Sequence, residues 1–90
     1  MRIRGIVRTA KLEEDPPGSD RIEMVLRVQG VGPGQPRSVV VPFEVLLNDP
    51  TLEPDLVAGH AFQAEVTEEA KHRWVVTKIE FAANRVLRGE

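Results

Sequence analysis

His60 and His72 are the two histidines of the chain, so metal or acid–base chemistry is sought around them first. Glu68 and His72 stand four apart, a spacing that places two ligands on one face of a helix. The segment that carries them, "EEAKHR" (68–73), is polar apart from Ala70 and reads as a turn, so the spacing has no helix to act on. A zinc site needs three or four converging donors, the chain has no cysteine, and neither histidine has a second donor at ligand spacing. Acyl or hydrolytic chemistry needs a nucleophile beside an orienting base. Ser19 lies in a loop and Ser38 at the start of a strand, and no base is fixed near either. The carboxylate pairs Glu13/Glu14 and Glu68/Glu69 are adjacent on expected loops, where burial cannot push their pKa values apart into acid and base. The sequence therefore designates no catalytic residue, no cofactor site and no metal site. A small enzyme or ligand-binding protein without a recognisable site is the weakest of three functional readings.

Stepping from side chains to the elements that must hold them, 90 residues make one modest domain. Lys and Arg number 12 against 14 Asp and Glu, for a net charge of −2, and aromatics are 4% of the chain. This is a poor balance for binding nucleic acid by charge and stacking. Lack of cysteine suits a reducing compartment, and no apolar run approaches the ~20 residues of a membrane span. The N-terminal "MRIRGIVRTAK" alternates arginines with apolar residues instead of following its charges with a continuous apolar stretch, so it reads as a strand and not as a leader. The expected location is the cytoplasm.

In "RIRGIVRTAKL" (2–12), Gly5 interrupts the β-branched residues. A bulge near it would bring Ile3, Ile6, Ala10 and Leu12 onto one face. "EEDPPGSD" (13–20) is a loop. "DRIEMVLRVQG" alternates cleanly, with Ile22, Met24, Leu26 and Val28 against Arg21, Glu23, Val25, Arg27 and Gln29. "GVGPGQPR" (30–37) connects to "SVVVPF" (38–43), where Val39 and Val41 oppose Val40. "FEVLLNDP" (43–50) predicts a short helix with Phe43, Leu46 and Leu47 at helical spacing, stopped by Asn48, Asp49 and Pro50. "TLEPDLVAGH" is irregular, with room for one helical turn. "HAFQAEVTE" (60–68) puts Phe62, Ala64 and Val66 on one face. "WVVTKIEFA" (74–82) puts Val75, Ile79 and Phe81 on one face and Trp74, Val76, Lys78 and Glu80 on the other. The expected organisation is a single β domain over residues 1–82, with 83–90 as a C-terminal tail.

The order is strand–strand–strand–helix–strand–strand. Together with the early mid-strand glycine and "LVAGHAFQAEVTE" before a final hairpin, it resembles the oligonucleotide/oligosaccharide-binding (OB) fold, a five-stranded Greek-key barrel. The expected class is all-β with one short helix between the third and fourth strands. A barrel of the SH3-like kind or an open meander is the alternative.

That resemblance implies a ligand face across the second and third strands, flanked by the first–second and fourth–fifth loops. Trp74 follows the latter loop and could stack on a base or sugar; with Val76 it could equally cover the barrel's outside, and a lone aromatic favours the packed reading. Arg4, Arg27 and Arg37 could form a phosphate-tracking stripe, continued by Lys71 and Arg73. Glu23 on the same face, and Glu13, Glu14, Asp15 and Asp20 in the flanking loop, would repel phosphates. "GVGPG" contains a proline, joins two strands and lacks a following Lys-Ser/Thr pair, so it is a hairpin connection and not a phosphate loop. Val25, Val40, Trp74 and Val76 all fall opposite the assigned core and could form an apolar outer stripe for a protein partner or a second copy. The leading expectation is a non-catalytic binding module acting through protein–protein contacts, possible homodimer included. A single-stranded nucleic-acid binder is the alternative.

Overall fold

The computed structural model describes residues 1–14, 17–30, 32–71 and 73–81. The expected tail (83–90) and His72 lie outside the described residues. The strands are β1 (Arg2–Glu14), β2 (Ile22–Gln29), β3 (Ser38–Val41), β4 (Ala61–Ala70) and β5 (Arg73–Phe81); the helices α1 (Phe43–Asn48) and α2 (Pro54–Val57) fall between β3 and β4. The strands close into a ring in the order β1-β2-β3-β5-β4. The fold is thus all-β with short helices in the expected place. Neighbours are antiparallel except β3 and β5, which run parallel and meet at Val40 and Val75.

β1 serves two neighbours. Arg2–Ile6 pairs with Glu65–Ala61 of β4, and Ile6–Glu14 pairs with Gln29–Ile22 of β2. One extra residue, Arg8, sits between the pairs Val7–Val28 and Thr9–Arg27. Such a bulge bends its strand and sharpens the twist, which lets one strand pass from one neighbour to the other. The first residue adds to the closure: the Met1 amino group donates to the Val66 carbonyl at 3.0 Å, and the Val66 N–H returns a bond to the Met1 carbonyl at 2.8 Å.

The core is aliphatic. Ile3, Val7, Met24, Leu26, Val39 and Val41 are fully buried, joined by Val28, Val57, Phe62, Ala64, Val66 and Val76. Each such side chain contributes about 1.5–3 kcal/mol relative to exposure. α1 begins straight after Pro42, which has the extended backbone of a cap residue (φ −73°). It turns Val45 and Leu46 onto the core, so of the expected trio only Leu46 packs there: Phe43 is half-buried beneath Arg21 and Leu47 is exposed. α2 starts on a proline, which lacks the N–H that a first helical turn cannot use. After it, Gly59 at φ 86° turns the chain into β4, its N–H donating to the Val7 carbonyl at 2.7 Å while Val7 donates to the His60 carbonyl at 3.0 Å.

Three sequence expectations are corrected here. In β1 the bulge lies at Arg8, and Gly5 stands in regular register opposite Phe62. Val7 is therefore inside and Ile6 is 43% exposed. Leu12 shares the face of Ala10 but is 51% exposed, because beyond Thr9 β1 has β2 on one side and no strand on the other among the described residues. In β5 a second bulge leaves Thr77 unpaired between Val66–Val76 and Glu65–Lys78. Trp74 and Val76 thus share the inward face with Ile79 and Phe81, while Val75 is buried as expected, at 5% exposure, but on the opposite face against Val40. Finally, β4 runs through Ala70, so residues 68–70 are strand rather than turn.

Candidate interaction face

The register assembles one row across the outside of the barrel. Lys11 faces Val25, Val25 faces Val40, Val40 meets Val75, and Val75 faces Thr67. Val25 and Val40 are half-buried and Val75 is buried, although none belongs to the inner core cluster. Laterally paired β-branched side chains pack on a pleated surface, so Val25, Val40 and Val75 form a compact apolar strip. The next row is Thr9–Arg27–Ser38. Arg37, just before β3, accepts the Val28 N–H through its carbonyl at 2.9 Å and stays exposed.

The other side of the strip is edged by ion pairs. Arg73 Nη2 lies 2.8 Å from Glu23 Oε2, and its Nε lies 3.9 Å from Glu69 Oε1. Arg21 pairs with Glu44 and carries its guanidinium 5.0 Å from the Phe43 ring centroid, a cation–π distance. The bond from Arg21 holds the Glu44 carboxyl below the usual carboxylate range. Between these pairs and Val45 and Val75 lies an open cleft of about 420 Å³. The apolar strip thus ends at a rim of compensated charge.

The expected ligand residues do not converge. Arg4 is opposite Gln63 on the β1–β4–β5 side, a face also carrying the Arg2–Glu65 pair at 2.7 Å and the Lys78–Glu80 pair at 3.9 Å. Arg27 faces Ser38, which Arg37 precedes, so the expected stripe of Arg4, Arg27 and Arg37 is split between the β1–β4 and β2–β3 parts of the ring. Lys71 is exposed in the β4–β5 turn, and Arg73 is engaged by Glu23 and Glu69. Trp74 is half-buried and packed against the core, and Val76 is fully buried. Of the expected protein-contact face, Val25 and Val40 are brought together. Val75, buried as expected, lies beside Val40 behind them.

Glu23, expected as an acid on the outer face, is a buried carboxylate at 7% exposure, the one buried charged residue among the described residues. No local signal could reveal this, because its partner comes from β5. Among the described residues no group of three or more His, Cys, Asp and Glu could hold a metal ion. His60 spends its carbonyl on Val7, and its buried Nδ1 has no hydrogen-bond partner.

Comparisons of the chain with protein-family models, curated proteins and solved structures each found no match.

Proposed function

We propose that this chain is a non-catalytic binding module of OB-like architecture that docks onto another protein through the outer face of β2, β3 and β5. Ring order, parallel closure between the third and fifth strands and a helical connection between the third and fourth support the OB-like assignment. The observation that carries the function is the pair Val25 and Val40, apolar, in register and half-buried on the outer face, backed by the buried Val75. Apolar surface held on an outer barrel face is the usual mark of a protein contact. Lys11, Arg27 and Arg37 border it, which suits a partner segment with acidic residues around an apolar centre.

Single-stranded nucleic acid is the lesser reading because the stacking platform is missing. Trp74 and Phe81 pack on the core, Phe62 is buried and Phe43 lies under Arg21. Three arginines that could meet phosphates, Arg2, Arg21 and Arg73, already face carboxylates. A photo-crosslinking amino acid at position 40, introduced in the cells that make the protein, tests the proposal, with the same group at the exposed Glu53 as control. The expected product is a discrete adduct with another polypeptide at position 40 only. Adducts with nucleic acid, adducts with a second copy of this chain, or no adduct overturn it.

A further inference from the structure

β1 has an open edge. From Thr9 to Glu14 its only strand partner among the described residues is β2, and the backbone hydrogen bonds from the α2–β4 connection end at Val7. Lys11, Leu12, Glu13 and Glu14 are all exposed. An unpaired strand edge presents main-chain donors and acceptors ready to extend the sheet, and proteins ordinarily blunt such edges with charge. Here the charges alternate in a way that selects one partner.

The geometry points to a second copy of this chain, paired antiparallel along this edge about a two-fold axis at Leu12. Directly opposed residues in an antiparallel pair share a face. A two-fold axis that keeps both apolar faces on one side must therefore pass at a residue and not between two. Centred on Lys11, the pairing sets lysine against lysine. Centred on Glu13, it sets glutamate against glutamate. Centred on Leu12, it sets Lys11 against Glu13 of the other copy twice, and Leu12 against its own equivalent. The 51% exposed Leu12 and the 38% exposed Ile22 then lie on the inner face of a continuous four-stranded sheet.

A second observation asks for the same cation. Glu13 and Glu23 are directly opposed within the chain, an unfavourable like-charge arrangement. Arg73 compensates Glu23. Glu13 has no cation within ion-pair distance among the described residues, and Lys11 has no carboxylate. The Leu12-centred pairing supplies each with the other. It shares Lys11 with the border of the valine strip, but its test reads self-association and not the position-40 adduct, so the two proposals fail separately.

Sedimentation of the full chain over a concentration series is the test. The wild type should show a reversible monomer–dimer equilibrium. Lys11→Glu and Glu13→Lys should each weaken it roughly ten-fold, since each places two like-charge pairs across the axis. An equimolar mixture of the two variants should restore dimer, because every cross-axis pair is then opposite in sign; the double variant should also dimerise. Hydrogen exchange should show the backbone of residues 10–14 protected at high protein concentration and open at low. A monomer at all concentrations, a dimer indifferent to Lys11→Glu, or no recovery on mixing overturns the proposal. Both sites are exposed, and circular dichroism of each variant confirms that its fold is intact.

Discussion

Glu23 and Arg73 are 50 positions apart in the chain and joined by a 2.8 Å contact in the fold. The pair spans β3, which contributes only four residues to the ring and meets β5 at Val40 and Val75. It therefore ties β2 to β5 at the weakest part of the closure. Removing the cation leaves a nearly buried carboxylate without its charge partner, a cost larger than the net value of an intact pair. Arg73→Ala should destabilise the domain by about 2–3 kcal/mol and Glu23→Gln by about 1 kcal/mol, because the amide carries no charge to strand. Urea unfolding of the two variants checks the ranking; an Arg73→Ala protein as stable as wild type would refute it.

Trp74 should behave as a core side chain. With one tryptophan and no tyrosine, intrinsic fluorescence reports on it alone. The native emission should be blue-shifted, shift red on unfolding, and stay unchanged when single-stranded DNA or RNA is added at low salt. Trp74→Ala should cost about 2–3 kcal/mol, below the loss for a wholly buried tryptophan, since the ring is only partly covered. Strong quenching by nucleic acid that fades with salt would return the ligand-platform reading to favour.

The order of elements and most of the core were legible because strict alternation in β2, β3 and β4 marks the buried side directly: Met24, Leu26 and Val28, then Val39 and Val41, then Phe62, Ala64 and Val66. The face errors fall on bulges, whereas the extent of β4 and the exposure of Leu12 depend on where pairing stops. Gly5 invited a bulge that the strand places at Arg8. Nothing in "WVVTK" marks Thr77 as the extra residue, although its hydroxyl donates to the Glu65 carbonyl at 3.3 Å across the irregularity. A one-residue slip exchanges the faces of a strand, so parity alone puts Trp74 and Val76 on the outer face and Val75 on the inner one. Two of the three members of the outer strip, Val25 and Val40, were visible from parity alone. The third, and the burial of Glu23, depend on which strands meet across the ring.

Glu65 should titrate below its usual range. The hydrogen bond from Arg2 is the largest cause, with the charge of Arg2 adding to it, and the same contact raises the Arg2 guanidinium further. A carboxyl whose folded pKa is depressed contributes stability above its unfolded pKa of ~4.3 and loses it as pH falls through the folded value. The Arg2–Glu65 contact is thus complete at neutral pH and disappears in acid. Both groups are solvent-exposed, so the effect belongs to the local pair and weakens with salt. Carboxyl NMR should find Glu65 below ordinary glutamates in the wild type and back among them in Arg2→Ala; an unmoved resonance would exclude the pair in solution.

Val39 and Val40 separate folding from binding at adjacent positions. Val39 is fully buried in the barrel, whereas Val40 is half-buried on the outer strip. Val39→Asp places a carboxylate among aliphatic side chains with no partner and should unfold the domain, a loss of about 4 kcal/mol or more. Val40→Asp leaves its carboxylate reachable by water and should cost about 1 kcal/mol. The Val40 variant should keep a wild-type dichroism spectrum while losing the position-specific adduct, here read from a crosslinker placed at Val25. A charge at position 40 that leaves the adduct intact would remove the strip from the contact, and equal damage at both positions would show that Val40 also belongs to the core.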